Sequence, residues 1–143
     1  MKIKDSFNDK TGIAKIILQT KNGSFTGIAK IHPDDKPYSN KFFGLVLAEI
    51  RAYIKSLKKE ISITKTKRKA IYSLKKDYVK DEFFNKLPKT IQKYIFKKLD
   101  EHLSCYSNII DNKEQEINLL KEEIINKIKI KDKLNLKIKD KIK

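Results

Sequence analysis

Thr11-Gly12-Ile13-Ala14-Lys15-Ile16 recurs as Thr26-Gly27-Ile28-Ala29-Lys30-Ile31, and Asn22-Gly23 lies between the two copies. Asn-Gly between alternating apolar residues is the strongest short-range signal for a two-residue type I′ hairpin, whose central residues both need φ > 0. With Asn22 and Gly23 as the loop, Lys21 faces Ser24, Leu18 faces Gly27, Ile16 faces Ala29 and Ala14 faces Ile31. One face then reads Ala14, Ile16, Leu18, Phe25, Ala29, Ile31 and is apolar. The other reads Ile13, Lys15, Ile17, Thr26, Ile28, Lys30 and is mixed, with the two lysines opposed. The chain starts with a β element, preceded by a polar Met1–Lys10 that frays or adds a short strand.

Everything beyond this hairpin has helical character. His32-Pro33-Asp34-Asp35-Lys36-Pro37 is a turn, because two prolines so close forbid a continuing strand or helix. Ser39 or Asn40 can cap the next helix, which is expected to run to about Glu60. Its apolar stripe is Phe43, Val46, Leu47, Ile50, Ile54, Leu57 and Ile61, at spacings of three and four. Beside it Gly44, Ala48 and Ala52 form a ridge of small residues at i, i+4 and i+8, where the apolar hairpin face is expected to lie. Thr64–Lys69 is either a linker or the first turns of a second helix over roughly Lys67–Lys86, with Ile71, Leu74, Tyr78 and Phe83 inward. Pro88 is placed to open a third helix, with Ile91, Tyr94 or Ile95, Leu99, Leu103, Tyr106 and Ile110 as its stripe. Asp111 with Glu114 resembles an acidic capping box before a fourth helix, in which Ile117, Leu120, Ile124 and Ile128 recur at near-heptad spacing. That spacing suits a helical hairpin or a homodimer. The tail Lys127–Lys143 alternates lysine with apolar residues, a strand period. A helical continuation is favoured over a strand or a disordered end, because a preceding helix propagates readily and lysine suits a helix C-terminus.

The fold expected is α+β: an N-terminal antiparallel β-hairpin packed on a long helix, then a mostly antiparallel helical region. The organisation expected is a hairpin-plus-helix module over residues 1–62, a helical region over 63–126 and a lysine-rich amphipathic tail over 127–143. At 143 residues with 39% apolar content, a modest core is feasible. One cysteine excludes an internal disulfide. No apolar run follows a basic start and no stretch has the length of a membrane span, so a cytoplasmic protein is expected, without a membrane partner.

Charge is the second informative feature. Lys and Arg number 34 against 18 Asp and Glu, a net charge of +16. A field of that size attracts polyanions. Only Arg51 and Arg68 are arginines. Lysine suits phosphate contact better than base readout, so weak sequence discrimination is expected. Residues 61–99 hold 12 basic and 3 acidic groups, whereas 100–126 hold 2 and 7. An acidic island in a basic chain implies pairing within the molecule or between subunits. The candidate binding residues are Lys15 and Lys30 on the hairpin, Arg51, Lys55, Lys58 and Lys59 on the first helix, and Lys65, Lys67, Arg68 and Lys69 beyond it.

Catalysis is not expected. His102 and Cys105 are close enough on one helix to touch, but a thiolate nucleophile also needs an orienting group and an oxyanion hole, and no such signature is present. The reading preferred is a core-facing Cys105 beside a surface His102. His32, Asp34 and Asp35 form a short potential ligand set with no second cluster; the reading preferred is that Asp34 or Asp35 accepts backbone N–H groups in the turn and His32 ends a strand. Phosphate-loop, dinucleotide, paired-cysteine and nucleophile-elbow motifs are missing, so no cofactor and no metal are expected.

Gly27, Ala29, His32, Pro33 and Asp35, followed by Gly44, Leu47, Ala48, Arg51, Ala52, Ile54 and Lys55, carry a resemblance. The pattern G-x-A-x-x-H-P-x-D, then a helix with G-x-x-L-A-x-x-R-A-x-I-K, resembles small uncharacterised phage and prophage proteins of low-GC Gram-positive bacteria. It covers roughly residues 25–60, and Lys36-Pro37-Tyr38 departs from the acidic run usual there. The resemblance implies a mobile-element origin and no particular activity. The function expected is that of a non-catalytic accessory protein binding nucleic acid or a nucleoprotein complex. The alternative is an anti-CRISPR-like inhibitor of a host defence protein, acting by protein contact.

Overall fold

The computed structural model describes the backbone of residues 2–30 and 41–142, and side chains over 2–30 and 42–129. Three strands, β1 (Lys2–Asn8), β2 (Ile13–Thr20) and β3 (Gly23–Lys30), form one antiparallel sheet in the order β1-β2-β3. Helices α1 (Lys41–Lys80), α2 (Glu82–Lys86) and α3 (Lys89–Ile142) follow. The architecture is α+β, as the sequence implies.

The hairpin exists, but its register is two residues away from the sequence reading. The loop is Lys21-Asn22, and Thr20 pairs with Gly23, Leu18 with Phe25, Ile16 with Gly27 and Ala14 with Ala29. A type I′ turn would need φ > 0 at both loop residues, and among the described residues no non-glycine has a positive φ. Gly23 carries it instead, at φ +126°. Thr20 closes the turn: its Oγ1 accepts from the Asn22 N–H at 3.1 Å and donates to the Gly23 carbonyl at 3.3 Å. A shift of two preserves the faces, whereas a shift of one would have exchanged them. Ala14, Ile16, Leu18 and Ala29 are therefore buried, as read. Ile31, the proline turn, the His32-Asp34-Asp35 set and the Ser39 or Asn40 cap lie outside the described residues.

Of the two expectations for the N-terminal stretch, the added strand is the one formed, over residues 2–8. Asn8 organises the link to β2. Its Oδ1 accepts from the Lys10 N–H at 2.9 Å and the Thr11 N–H at 3.3 Å, and its carbonyl accepts from the Gly12 N–H at 2.8 Å. Gly12 ends this loop at φ 69°, which a residue with a Cβ rarely adopts.

The chain divides into two compact units, residues 1–59 with 116–143, and residues 60–115. In the first unit the sheet's apolar face and α1 share one core of Ala14, Ile16, Leu18, Ala29, Leu47, Ala48 and Ala52, with Phe7, Phe43, Leu45, Tyr53 and Ile124 packed against it. The small-residue ridge works as the sequence implies. Strand β3 approaches α1 so closely that a Cβ on Gly27 would overlap the Ala48 carbonyl oxygen and lie 2.6 Å from the Ala52 nitrogen.

Two expected helix boundaries, before the second and before the fourth helix, do not occur, whereas the break at Pro88 and the helical continuation into the tail do. α1 runs unbroken through Thr64–Lys69, and α3 runs unbroken through Asp111 and into the tail. In the second unit Lys113 Nζ meets Glu60 Oε2 at 2.6 Å, and Lys75 Nζ meets Asp100 Oδ1 at 2.7 Å. Partners across the helical hairpin outweigh local capping signals such as Asp111. A further break, absent from the sequence reading, falls at Asp81, which caps α2 by accepting from the Phe84 N–H at 2.8 Å. That cap resets the helical phase, so Phe84 is inward at 4% exposure and Phe83, the residue expected inward, is 74% exposed. Phe84 stacks on Tyr78 with centroids 4.9 Å apart and meets Phe96 edge-on at 5.2 Å. Pro88 immediately precedes α3, its carbonyl accepting from Ile91 and Gln92 N–H groups at 3.0 and 3.1 Å.

Gly27→Ala is expected to destabilise the protein by about 3 kcal/mol, because backbone cannot yield as a side-chain tip can. Gly23→Ala has open space around its Cβ and meets only an unfavourable φ, so a loss of about 1 kcal/mol is expected. Chemical unfolding of the two variants beside the parent checks the order.

Candidate nucleic-acid interface

Strand pairing sets the outward face of the sheet. Lys2, Lys4, Ser6 and Asn8 on β1 share it with Ile13, Lys15, Ile17 and Gln19 on β2 and with Ser24, Thr26, Ile28 and Lys30 on β3. In the observed register Lys15 pairs with Ile28 and Lys30 with Ile13, so the two lysines are not opposed as expected. Lys4 pairs with Ile17 and Lys15 with Ser6, which makes Lys4 and Lys15 diagonal neighbours. Lys15 and Lys30 are diagonal neighbours in the same sense. Lys4, Lys15 and Lys30 thus cross the sheet as a slanting stripe, one lysine per strand, spaced at about 7–8 Å. Lys2 extends it along β1. All four side chains are exposed, and among the described residues this face carries no aspartate or glutamate.

Sequence reading found Lys15 and Lys30 but missed Lys2 and Lys4, because only a paired β1 aligns them. The alternation of Lys2, Ile3 and Lys4 was the available signal.

The basic ridge of α1 has two kinds of member. Arg51 Nη1 donates to the Ile28 carbonyl and Lys55 Nζ to the Thr26 carbonyl, each at 2.7 Å. Strand β3 is an edge strand, and these two side chains satisfy outward carbonyls that no further strand bonds. Lys58 and Lys59, the next residues of the ridge, are exposed.

In the second unit Lys65 pairs with Glu114 at 3.9 Å, and Arg68 Nη1 donates to Ser107 Oγ at 3.3 Å. Lys67 and Lys69 are exposed on the same helix. The acidic island does pair within the chain: in the second unit Asp100 meets Lys75 and Glu114 meets Lys65, and in the first unit Tyr53 Oη donates to Glu116 at 2.9 Å. Each ion pair among the described residues takes a lysine, and Lys98–Glu101 and Lys127–Glu123 are local pairs along α3.

Cys105 is an exposed free thiol, not the core residue expected, and the His102 ring lies 6.3 Å from that of Tyr106. Among the described residues no three His, Cys, Asp or Glu side chains form a group able to hold a metal ion, and no helix is long and apolar enough to cross a membrane.

No family model, curated protein or solved structure matches this chain.

Replacing Arg51 and Lys55 together by methionine keeps their apolar stems and removes both donors. A loss of about 1 kcal/mol is expected, since the freed carbonyls can turn to water. Faster exchange of the β3 amides in the folded variant would show that the edge had loosened; unchanged stability and exchange would assign no structural part to either bond.

Proposed function

We propose that this protein is a non-catalytic accessory protein that binds the phosphate backbone of nucleic acid, alone or within a nucleoprotein complex. The phage or mobile-element setting of this reading comes from the resemblance in residues 25–60. The observation that carries the binding function is the stripe of Lys4, Lys15 and Lys30, extended by Lys2, on a sheet face without acid among its described residues. A line of ammonium groups suits a linear polyanion, because each neutralised phosphate releases counterions whatever the base sequence. Among the described residues this face carries no aromatic side chain on which bases could stack, so duplex backbone is favoured over unstacked single strand. Lys58 and Lys59, and in the second unit Lys67 and Lys69, add to the attracting field. Arg51, Lys55, Lys65 and Arg68 hold internal partners and contribute less.

The second reading, an inhibitor of a host defence protein, draws on a different feature of the same face. Ile13 and Ile28 are 36% and 50% exposed between the lysines. Apolar groups gain nothing from phosphates and fit the centre of a protein interface. A partner retained from host lysate after nuclease treatment would favour this reading.

Affinity for a generic duplex is expected to fall linearly with salt on a log–log scale, with a slope near −0.9 per phosphate neutralised. Changing Lys4, Lys15 and Lys30 to alanine is expected to flatten that slope by about 2–3 units, whereas Lys67→Ala with Lys69→Ala changes it by less than about 1. Absence of duplex binding at about 50 mM salt would overturn the proposal.

A further inference from the structure

The two edges of the sheet are treated differently. At β3 the Thr26 and Ile28 carbonyls point away from β2, into the Lys55 and Arg51 side chains. This fixes the phase of the whole ladder, because in an antiparallel pair inward and outward backbone groups alternate. Phe25, Gly27 and Ala29 therefore bond to Leu18, Ile16 and Ala14. The intervening β2 residues Ile13, Lys15, Ile17 and Gln19 bond to Asn8, Ser6, Lys4 and Lys2. The N–H and C=O groups of Ile3, Asp5 and Phe7 are left pointing out of the sheet at the free edge of β1. Among the described residues no side chain from a helix reaches them.

We propose that the free edge of β1 is a strand-addition site for an extended, acidic segment of a partner protein. Main-chain bonds to Ile3, Asp5 and Phe7 would supply affinity, and alternate side chains the selectivity. On the outward face Lys2 and Lys4 call for acids opposite them. On the other face Ile3 is 52% exposed and Phe7 is half-buried, so apolar residues belong opposite both. A second copy of this chain is the poorer occupant. It brings its own net charge of +16, and symmetric pairing centred on Lys4 or on Asp5 sets like charges directly opposite. Lysine on an edge strand blunts indiscriminate pairing, and an acidic strand is the kind it admits.

The probe is a capped peptide, valine-serine-threonine-glutamate-valine-glutamate, which in antiparallel register sets valines opposite Phe7 and Ile3 and glutamates opposite Lys4 and Lys2. With the full chain, saturable binding with Kd below about 1 mM is expected. Amide exchange of Ile3, Asp5 and Phe7 is expected to slow, while that of Lys4 and Ser6, already in the ladder, stays unchanged. Glutamine in place of both glutamates is expected to weaken binding about fivefold. Asp5→Pro removes an outward N–H and leaves the β1–β2 bonds in place, so it is expected to abolish binding in a folded protein. Should that variant fail to fold, N-methylation of the peptide at threonine and at the second valine tests the same bonds on the unaltered protein. Asp5→Pro leaves every lysine in place, so duplex binding reports separately on the proposed function. Absence of peptide binding to the folded parent, or protection at other amides, overturns the proposal. Protection of these three amides by concentration-dependent self-association, without peptide, overturns its choice of occupant.

Discussion

The first unit depends on one contact, the approach of the β3 backbone at Gly27 to the α1 backbone at Ala48 and Ala52. Hydrogen is the largest substituent this distance admits at Gly27, and Ala48 and Ala52 are fully buried beside it. The contact brings Ala14, Ile16, Leu18 and Ala29 into one core with Leu47. It also brings α1 near enough for Arg51 and Lys55 to reach the edge carbonyls of Ile28 and Thr26. A bulkier seam would move the helix outward and leave those carbonyls to solvent. Packing of small residues and protection of the sheet edge are therefore one arrangement.

Arg51 and Lys55 also illustrate how charge divides between structure and function. Their heads find backbone acceptors on β3, which lowers their value to an external anion. Lys65 and Arg68 in the second unit are engaged in a comparable way, by Glu114 and Ser107. In the second unit Asp100 and Glu114 of α3 complement Lys75 and Lys65 of α1. How the remaining charge is displayed depends on geometry as well as on the total of +16.

Faces were legible in the sequence and phases were not. Alternation over Ala14, Ile16 and Leu18 and the i, i+4, i+8 ridge at Gly44, Ala48 and Ala52 report burial directly, since apolar surface leaves water whichever neighbour covers it. The turn was misread because Asn-Gly allows more than one loop, and the Thr20 hydroxyl bonds to Asn22 and Gly23 decide between them. Helix ends at Thr64–Lys69 and Asp111 were misread because long-range partners sustain the helix where local signals argue for a break. Phe83 and Phe84 were exchanged for a similar reason: the Asp81 cap restarts the helix, and a stripe carried through from α1 loses its phase. Of the candidate site, Lys15 and Lys30 were visible; Lys2 and Lys4 needed the third strand.

The register then determines the electrostatics of the sheet. With Asn22-Gly23 as the loop, Lys15 and Lys30 would face each other, a destabilising like-charge pair. Placing the loop at Lys21-Asn22 sets each of those lysines opposite an isoleucine and moves the pair to a diagonal. The same shift aligns them with Lys4 through the β1 register. Repulsion is eased within the fold while the positive field stays on one face. Gly23, through the positive φ that makes this turn feasible, therefore sets the spacing of lysines several residues away. Lysine spacing and hairpin stability rest on the same backbone choice, so neither can be altered at that turn without the other.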